Sequence, residues 1–144
     1  MDISIRPMTK NDLSEILAIE NNSFPDPWSE KLFLDELELN FSHSRVALLG
    51  NKLCGYIVLW HMREEGNIMN LAVSPEYRRQ GIGKKLLEHM IDSARNMEIR
   101  SIFLEVRSRN NAAIKLYESF GFKTYNVRKD YYPDDDAFLM SRDL

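Results

Sequence analysis

Hydrophobic positions along the chain begin with a period of two and then lengthen to a helical spacing. Ile3 and Ile5 alternate with polar neighbours up to Pro7, and cap-like Thr9 precedes DLSEILAIE, which predicts strand, turn and helix in that order. FPDPW at 24–28 carries too much proline for a helix interior and predicts an ordered loop. After it, SEKLFLDELEL resumes a helical pattern with Ser29 as its cap. β-rich runs at 44–50 and 53–61 flank Gly50 and Asn51, residues that tolerate positive φ and so predict a hairpin. NIMNLAV at 67–73 predicts a further strand, stopped by Pro75. From Gly81 to about Asn96 a helix is expected, with Leu86, Leu87, Met90, Ile91 and Ala94 on one side. SIFLEV at 101–106 predicts a strand, NAAIKLYESFGF a helix ending at Gly121, and the tail short strands around YYPDDD. This order predicts a mixed α/β domain with helices packed on a central sheet.

Composition changes the picture in three ways. At 144 residues, 44% hydrophobic and 28% charged, the chain has the size of one domain with one core, spanning residues 1–144. Its net charge of −3 argues against a protein devoted to nucleic-acid phosphates, so any anion site is local. Cys54, the single cysteine, sits in the apolar run KLCGYIVLW and reads as a buried core residue rather than a nucleophile, consistent with a reducing compartment. MDISIRPM has no apolar signal region and no segment reaches about 20 uninterrupted apolar residues, which leads us to expect a cytoplasmic protein without membrane insertion. His43, His61 and His89 lack paired metal-ligand spacing, so no metal is expected.

One stretch carries distinctive chemistry. RRQGIGKK at 78–85 places four cations and two glycines at the head of an amphipathic helix. A helix amino terminus presents unpaired N–H groups and partial positive charge, and glycines let a ligand come close, so a pyrophosphate fits. A dinucleotide fingerprint needs a third glycine and a P-loop needs a different spacing with Ser or Thr after the lysine, so neither is present. Taken alone the segment is ambiguous, because the cations can equally form a solvated face and the glycines merely shape a turn.

Strand NLAVSPEY, loop RRQGIG and helix KKLLEHM resemble, in order and spacing, the acetyl-CoA signature of the GNAT superfamily of N-acetyltransferases. The pattern [RQ]-x-x-G-x-[GA] is met by Arg78, Gly81 and Gly83, and a second signature is met by NNAAIKLYESFGF after the next strand. WSEKLF, LEVRSRNNAAIKLYESFGF and the tail R-x-x-YYP are similar to the ribosomal-protein alanine N-acetyltransferases of the RimI type, over nearly the whole chain. The aromatic loop FPDPWS is longer than the form associated with that group. The resemblance implies the GNAT fold, a central and mostly antiparallel sheet with helices on both faces. It also implies acetyl-CoA as co-substrate and a protein N-terminus, of a ribosomal protein, as acceptor. It places the cofactor's acetyl and pantetheine end on the main chain of Leu71, Ala72 and Val73. The pyrophosphate would lie on the segment that follows Arg78, through Arg79, Gln80, Gly81, Ile82, Gly83 and Lys84, with Asn110 as a further cofactor ligand. Tyr117 is implied as general acid and Glu105 as general base.

The residues bear independently on these roles. Glu105 is the lone charge in an apolar strand, on the same sheet face as Phe103, and partial burial would raise its pKa and make it a better base; the plain alternative is a surface carboxylate. Tyr117 could otherwise be a packing residue. An α-amine titrates near 8 and a lysine near 10.4, so freeing lysine at neutral pH costs on the order of 3 kcal/mol more, which favours N-termini. Phe24, Pro25 and Trp28, with Tyr131 and Tyr132, could line a cleft for an extended peptide, or be ordinary core aromatics. Asp134, Asp135 and Asp136, with Glu64 and Glu65, could attract a basic substrate or form solvated turns. Two other functions remain open, a small-molecule amine acetyltransferase and a CoA-binding interaction module without turnover; the latter requires neither Glu105 nor Tyr117.

Overall fold

A computed structural model describes residues 2–144. Its strands are β1 (Ile3–Pro7), β2 (Ser42–Leu49), β3 (Lys52–Met62), β4 (Glu65–Val73), β5 (Ser101–Arg107), β6 (Lys123–Tyr132) and β7 (Asp135–Asp143). The helices are α1 (Leu13–Ser23), α2 (Glu30–Glu38), α3 (Ile82–Asn96) and α4 (Asn111–Ser119), with single 3-10 turns at Lys10–Asp12 and Pro75–Tyr77. The predicted elements are therefore found in the predicted order. The tail differs in extent. β6 and β7 are long strands rather than short pieces, and β6 is solvent-exposed along almost its whole length, so its sequence shows no alternation to read.

All seven strands join in one sheet, ordered β1-β2-β3-β4-β5-β7-β6. Every neighbouring pair is antiparallel except β4 with β5, which α3 connects as a crossover. On one face, α3 buries Ile82, Leu86, Leu87 and Met90 against Ile57, Leu59 and Ile102. On the other, Ile16 of α1 and Phe33 of α2 pack against Val46 and Tyr56. Each such large apolar side chain contributes about 1.5–3 kcal/mol on burial. Helices on both faces leave β3, in the middle of the sheet, almost wholly buried.

Local contacts fix where the helices start. Asp12 accepts both guanidinium nitrogens of Arg6, at 2.8 and 2.9 Å, and the Thr9 N–H at 2.8 Å, tying β1 to the start of α1. The Arg6 hydrogen bonds hold the Asp12 carboxyl below its usual pKa range. Ser29 caps α2 by accepting the Leu32 N–H at 3.1 Å. Glu36 of α2 accepts from Trp60 Nε1 at 2.9 Å and from Ser42 Oγ at 2.7 Å, which anchors that helix to β3 and β2. Gly50 closes the β2–β3 hairpin at φ 60°. Cys54 is fully buried beside the Ala47 carbonyl, as a core residue should be, and burial pushes its thiol pKa up. Among the described residues no helix is long and apolar enough to cross a membrane.

The pairing of β4 with β5 decides where a ligand can enter. It runs only from Glu65 and Ser101 to Ile68 and Leu104. At Met69, β4 carries an extra residue in its ladder with β3, a bulge that turns the strand, and beyond it β4 stays with β3 while β5 stays with β7. The two strands part.

Because Leu86 of α3 is fully buried in the core on one face of the sheet, Leu86→Ala is expected to lower unfolding free energy by about 2–5 kcal/mol in urea titration. Met62→Ala, at a side chain in an exposed position, should stay within about 0.5 kcal/mol of the parent.

Candidate active site

Where β4 and β5 separate, a cleft of about 180 Å³ opens. Ile68, Met69, Asn70 and Leu71 of β4 line one side, and Glu105, Val106 and Arg107 of β5 the other. Asn110, Ala113 and Tyr117 reach in from the start and middle of α4. The edge of β4 from Leu71 to Val73 has no strand partner in β5, so the main-chain groups that point to that side are open to a ligand, apart from the Val73 carbonyl, which accepts from Arg78. The side chain of Ala72 points away, into the core beneath α1 and α2.

At the far end of this edge stands the amino terminus of α3. Gly81 caps it at φ 80° in the left-handed region, where a β-carbon is strained, and a substituent there would meet only open space. Arg79 also takes a positive φ, 62°. No side chain caps this helix and no acid lies in its first turn, so the N–H groups of Ile82, Gly83 and Lys84 face outward unpaired. Arg79, Gln80, Lys84 and Lys85 are exposed around them. Such a terminus is a ready anion site. Two residues here do something other than the sequence suggested. A β-carbon on Gly83 would lie 3.3 Å from Leu116 and 3.6 Å from Val73, so its smallness lets α3 approach α4 and β4. Arg78 folds back, donating from Nε to the Val73 carbonyl at 3.1 Å and from Nη2 to Ser23 Oγ at 3.3 Å.

Glu105 stands on the expected face, in register with Phe103 and Arg107, while Ile102, Leu104 and Val106 fill the opposite one. The burial foreseen for it is slight, since 39% of its side chain is accessible. Arg128 Nη1 lies 3.9 Å from its carboxylate. The same carboxylate, facing the Tyr131 hydroxyl as hydrogen-bond acceptor, raises the Tyr131 pKa. Tyr117 is buried against Phe122, and desolvation alone pushes its hydroxyl pKa up. Asn110 caps α4, its Oδ1 accepting the Ala113 N–H at 3.2 Å, which leaves the amide nitrogen for other partners.

Of the aromatic residues singled out for an acceptor, Phe24, Trp28 and Tyr132 line the cleft. Pro25 is exposed in the loop, and Tyr131 stacks edge-on with Tyr132 at 5.0 Å. Trp28 also packs on Phe33 at 5.1 Å, so it is partly a core residue. The acidic tail cluster is not a loose solvated patch. Asp134 binds Arg107, Asp135 binds Ser108 and the Arg109 N–H, and Asp136 accepts the Asp130 N–H. Glu64 approaches Arg100.

Sequence reasoning missed the side chains of four polar residues of the cleft, Glu20, Asp26, Asn70 and Arg107. Glu20, 1% exposed, lies at its base and accepts from the Tyr56 hydroxyl at 2.5 Å, Asn70 Nδ2 at 2.9 Å and the Trp28 N–H at 2.9 Å. Burial, reinforced by Glu20, raises the Tyr56 pKa, so this hydroxyl remains a donor. The signal was a lone charge on the apolar stripe of α1 beside Ile16 and Ile19, and a lone amide between Ile68 and Ala72 at buried strand positions. Arg107 and Asp26, at the mouth, gave no periodic signal.

Residues 13–122 match the acetyltransferase (GNAT) family. The chain belongs to that family. It is 38% identical, over 96% of its length and 95% of the relative's, to the [ribosomal protein bS18]-alanine N-acetyltransferase of Escherichia coli strain K12. The crystal structure of the ribosomal-protein-S18-alanine N-acetyltransferase from Escherichia coli superposes with TM-score 0.92 and 34% identity, covering 99% of this chain and 94% of that one. Arabidopsis thaliana Naa50, solved in complex with the bisubstrate analogue CoA-Ac-MVNAL, superposes with TM-score 0.86 and 25% identity over the full length of both chains. The GNAT fold expected from the two motifs is thus the fold observed, a mixed and mostly antiparallel sheet covered by helices on both faces.

In this GNAT chain the buried network under the cleft is a structural requirement that can be measured. Tyr56→Phe removes one of three donors to a desolvated carboxylate and should cost about 1–3 kcal/mol in urea unfolding. Glu20→Ala, which strands all three donors, should cost more than Tyr56→Phe. Equal stability of both variants and the parent would show the network to be energetically empty.

Proposed function

We propose that this protein transfers the acetyl group of acetyl-CoA to the N-terminal α-amine of a protein, most specifically the N-terminal alanine of a ribosomal protein. The observation that carries this reading is the continuity of the site. An open helix terminus suited to a diphosphate leads along an unpaired strand edge into a cleft that both Glu105 and Tyr117 line. The activities named for the Escherichia coli relative and the CoA-peptide conjugate bound by the Arabidopsis protein support it.

In this reading the N–H groups from Arg79 to Lys84 bind the diphosphate of CoA, aided by the exposed cations around them. Arg78, whose guanidinium sits on the Val73 carbonyl, orders the turn. Main-chain groups of Leu71, Ala72 and Val73 hold the pantetheine and polarise the thioester carbonyl, and the free amide nitrogen of Asn110 adds a donor. Phe24, Pro25 and Trp28 on one side and Tyr131 and Tyr132 on the other grip the acceptor peptide.

Attack is direct, within a ternary complex. The amine nitrogen forms its bond to the carbonyl carbon while the carbon–sulfur bond breaks. Glu105, which is accessible enough to meet solvent, takes the amine proton directly or through water. Tyr117 gives its proton to the departing thiolate and regains one from solvent. Burial raises its pKa, so the hydroxyl stays protonated throughout the neutral range.

Incubation with acetyl-CoA and peptides bearing free N-termini, followed by mapping of the modified nitrogen by mass spectrometry, tests the reading; acetylation of an α-amine, with alanine-initiated peptides preferred over lysine side chains and free polyamines, is the expected product. Glu105→Gln and Tyr117→Phe should each lower kcat by about 10²–10⁴-fold. Because burial moves the Tyr117 pKa above its ordinary value near 10, the rate should show no falling limb from this residue below about pH 10. Tyr117→Phe should therefore lower the pH–rate profile without moving it sideways. Unchanged rates in both variants would refute the assigned roles.

A further inference from the structure

The guanidinium of Arg107 is shared between two loops that are far apart in sequence. Its Nη2 donates to Asp26 Oδ1 at 2.9 Å, in the segment between α1 and α2, and its Nη1 donates to Asp134 Oδ1 at 2.6 Å, in the turn between β6 and β7. Its Cζ lies 4.0 Å from the ring centroid of Tyr132. The side chain is 14% accessible, whereas Asp26 and Asp134 are 59% and 58% accessible. The cation is thus built into the end of β5, two residues after Glu105, and the carboxylates come to it from outside.

We infer that Arg107 is a positioning residue that clamps the 24–28 loop to the β6–β7 turn and so sets the width of the acceptor cleft. Each side carries part of the aromatic lining, Phe24 and Trp28 at the 24–28 loop and Tyr132 at the end of β6 that leads into the turn. A guanidinium suits the task because its planar fork offers separate N–H groups to two carboxylates while its face stacks on an aromatic ring. An ammonium cannot do all three. Ion pairs whose acidic partners are more than half exposed add little to global stability, so the clamp's consequence is the placement of the two loops rather than the free energy of the fold. Asp26 gives the FPDPW loop a carboxylate at the point where it passes Arg107.

This inference rests on the peptide-acceptor reading above. Arg107→Lys, Asp26→Asn and Asp134→Asn would be compared with the parent by steady-state kinetics, with each substrate varied in turn, and by hydrogen exchange of the free protein. In Arg107→Lys the peptide KM should rise about tenfold, since a small displacement of positioning groups weakens productive binding. The acetyl-CoA KM should stay within about twofold, because the residues proposed to hold that substrate lie on β4 and α3. The amides of Phe24, Asp26 and Trp28 and those of Tyr131, Tyr132 and Asp134 to Asp136 should exchange faster together in Arg107→Lys, and each aspartate variant should loosen its own loop most. A parent that acetylates peptides while Arg107→Lys keeps the same peptide KM overturns the clamp alone. Equal rises in both KM values also overturn it, since they mean general damage. A parent that acetylates no peptide removes the acceptor reading itself, and with it the role of the cleft.

Discussion

Pairing between β4 and β5 ends at Ile68 and Leu104, and beyond that point two strand edges that would satisfy each other face a cleft instead. Unpaired main-chain groups in a partly enclosed space demand a partner, and this demand is what favours reading the gap as a binding site rather than a defect of the sheet. Everything functional is arranged around it. The bulge at Met69 turns one strand away, β7 holds the other, and α3 begins where the open edge of β4 ends. The helix also serves the fold, because its apolar side supplies much of the core on one face of the sheet. The proposed cofactor site and the core thus share one element, which fixes the helix terminus against the strand.

Buried and half-buried charges hold the cleft's other boundaries. Glu20 ties α1, the Trp28 backbone and the central strands beneath the cleft through three hydrogen bonds. Arg107 joins the two loops above it. A carboxylate at 1% exposure survives because all its donors are supplied, whereas the exposed carboxylates of Asp26 and Asp134 are tolerated because water supplies what the guanidinium does not. Rigidity below and adjustability above suit a site that holds one substrate constant and admits another.

Much of this was legible in the sequence because it rests on short-range rules. Gly50, Ser29 and the Leu86–Met90 stripe act within one turn of their own element, and each element they define was found in place. The glycine-led start of α3 in RRQGIG was legible for the same reason. What could not be read depends on residues brought together across the chain. Gly83 was taken for a ligand-facing glycine, yet its neighbours are Leu116 and Val73, on elements that only the fold brings close. The three tail aspartates read as a solvated turn or a lure for basic substrates, but their partners Arg107, Ser108 and Asp130 are set by the β5–β7 register and the β6–β7 turn. β6 was the hardest to see, since an exposed strand has no apolar face to announce it.

The claim on which the account turns is that the open edge of β4 and the amino terminus of α3 form one continuous acetyl-CoA site. Titration of the isotope-labelled protein with acetyl-CoA, followed by backbone amide NMR, addresses it most directly. The account predicts that the largest shifts fall on Leu71, Ala72 and Val73 and on Gly81 through Lys84, and that both groups saturate at the same ligand concentration. Absence of any perturbation, or shifts confined to other surfaces such as the turn between β3 and β4, would contradict it.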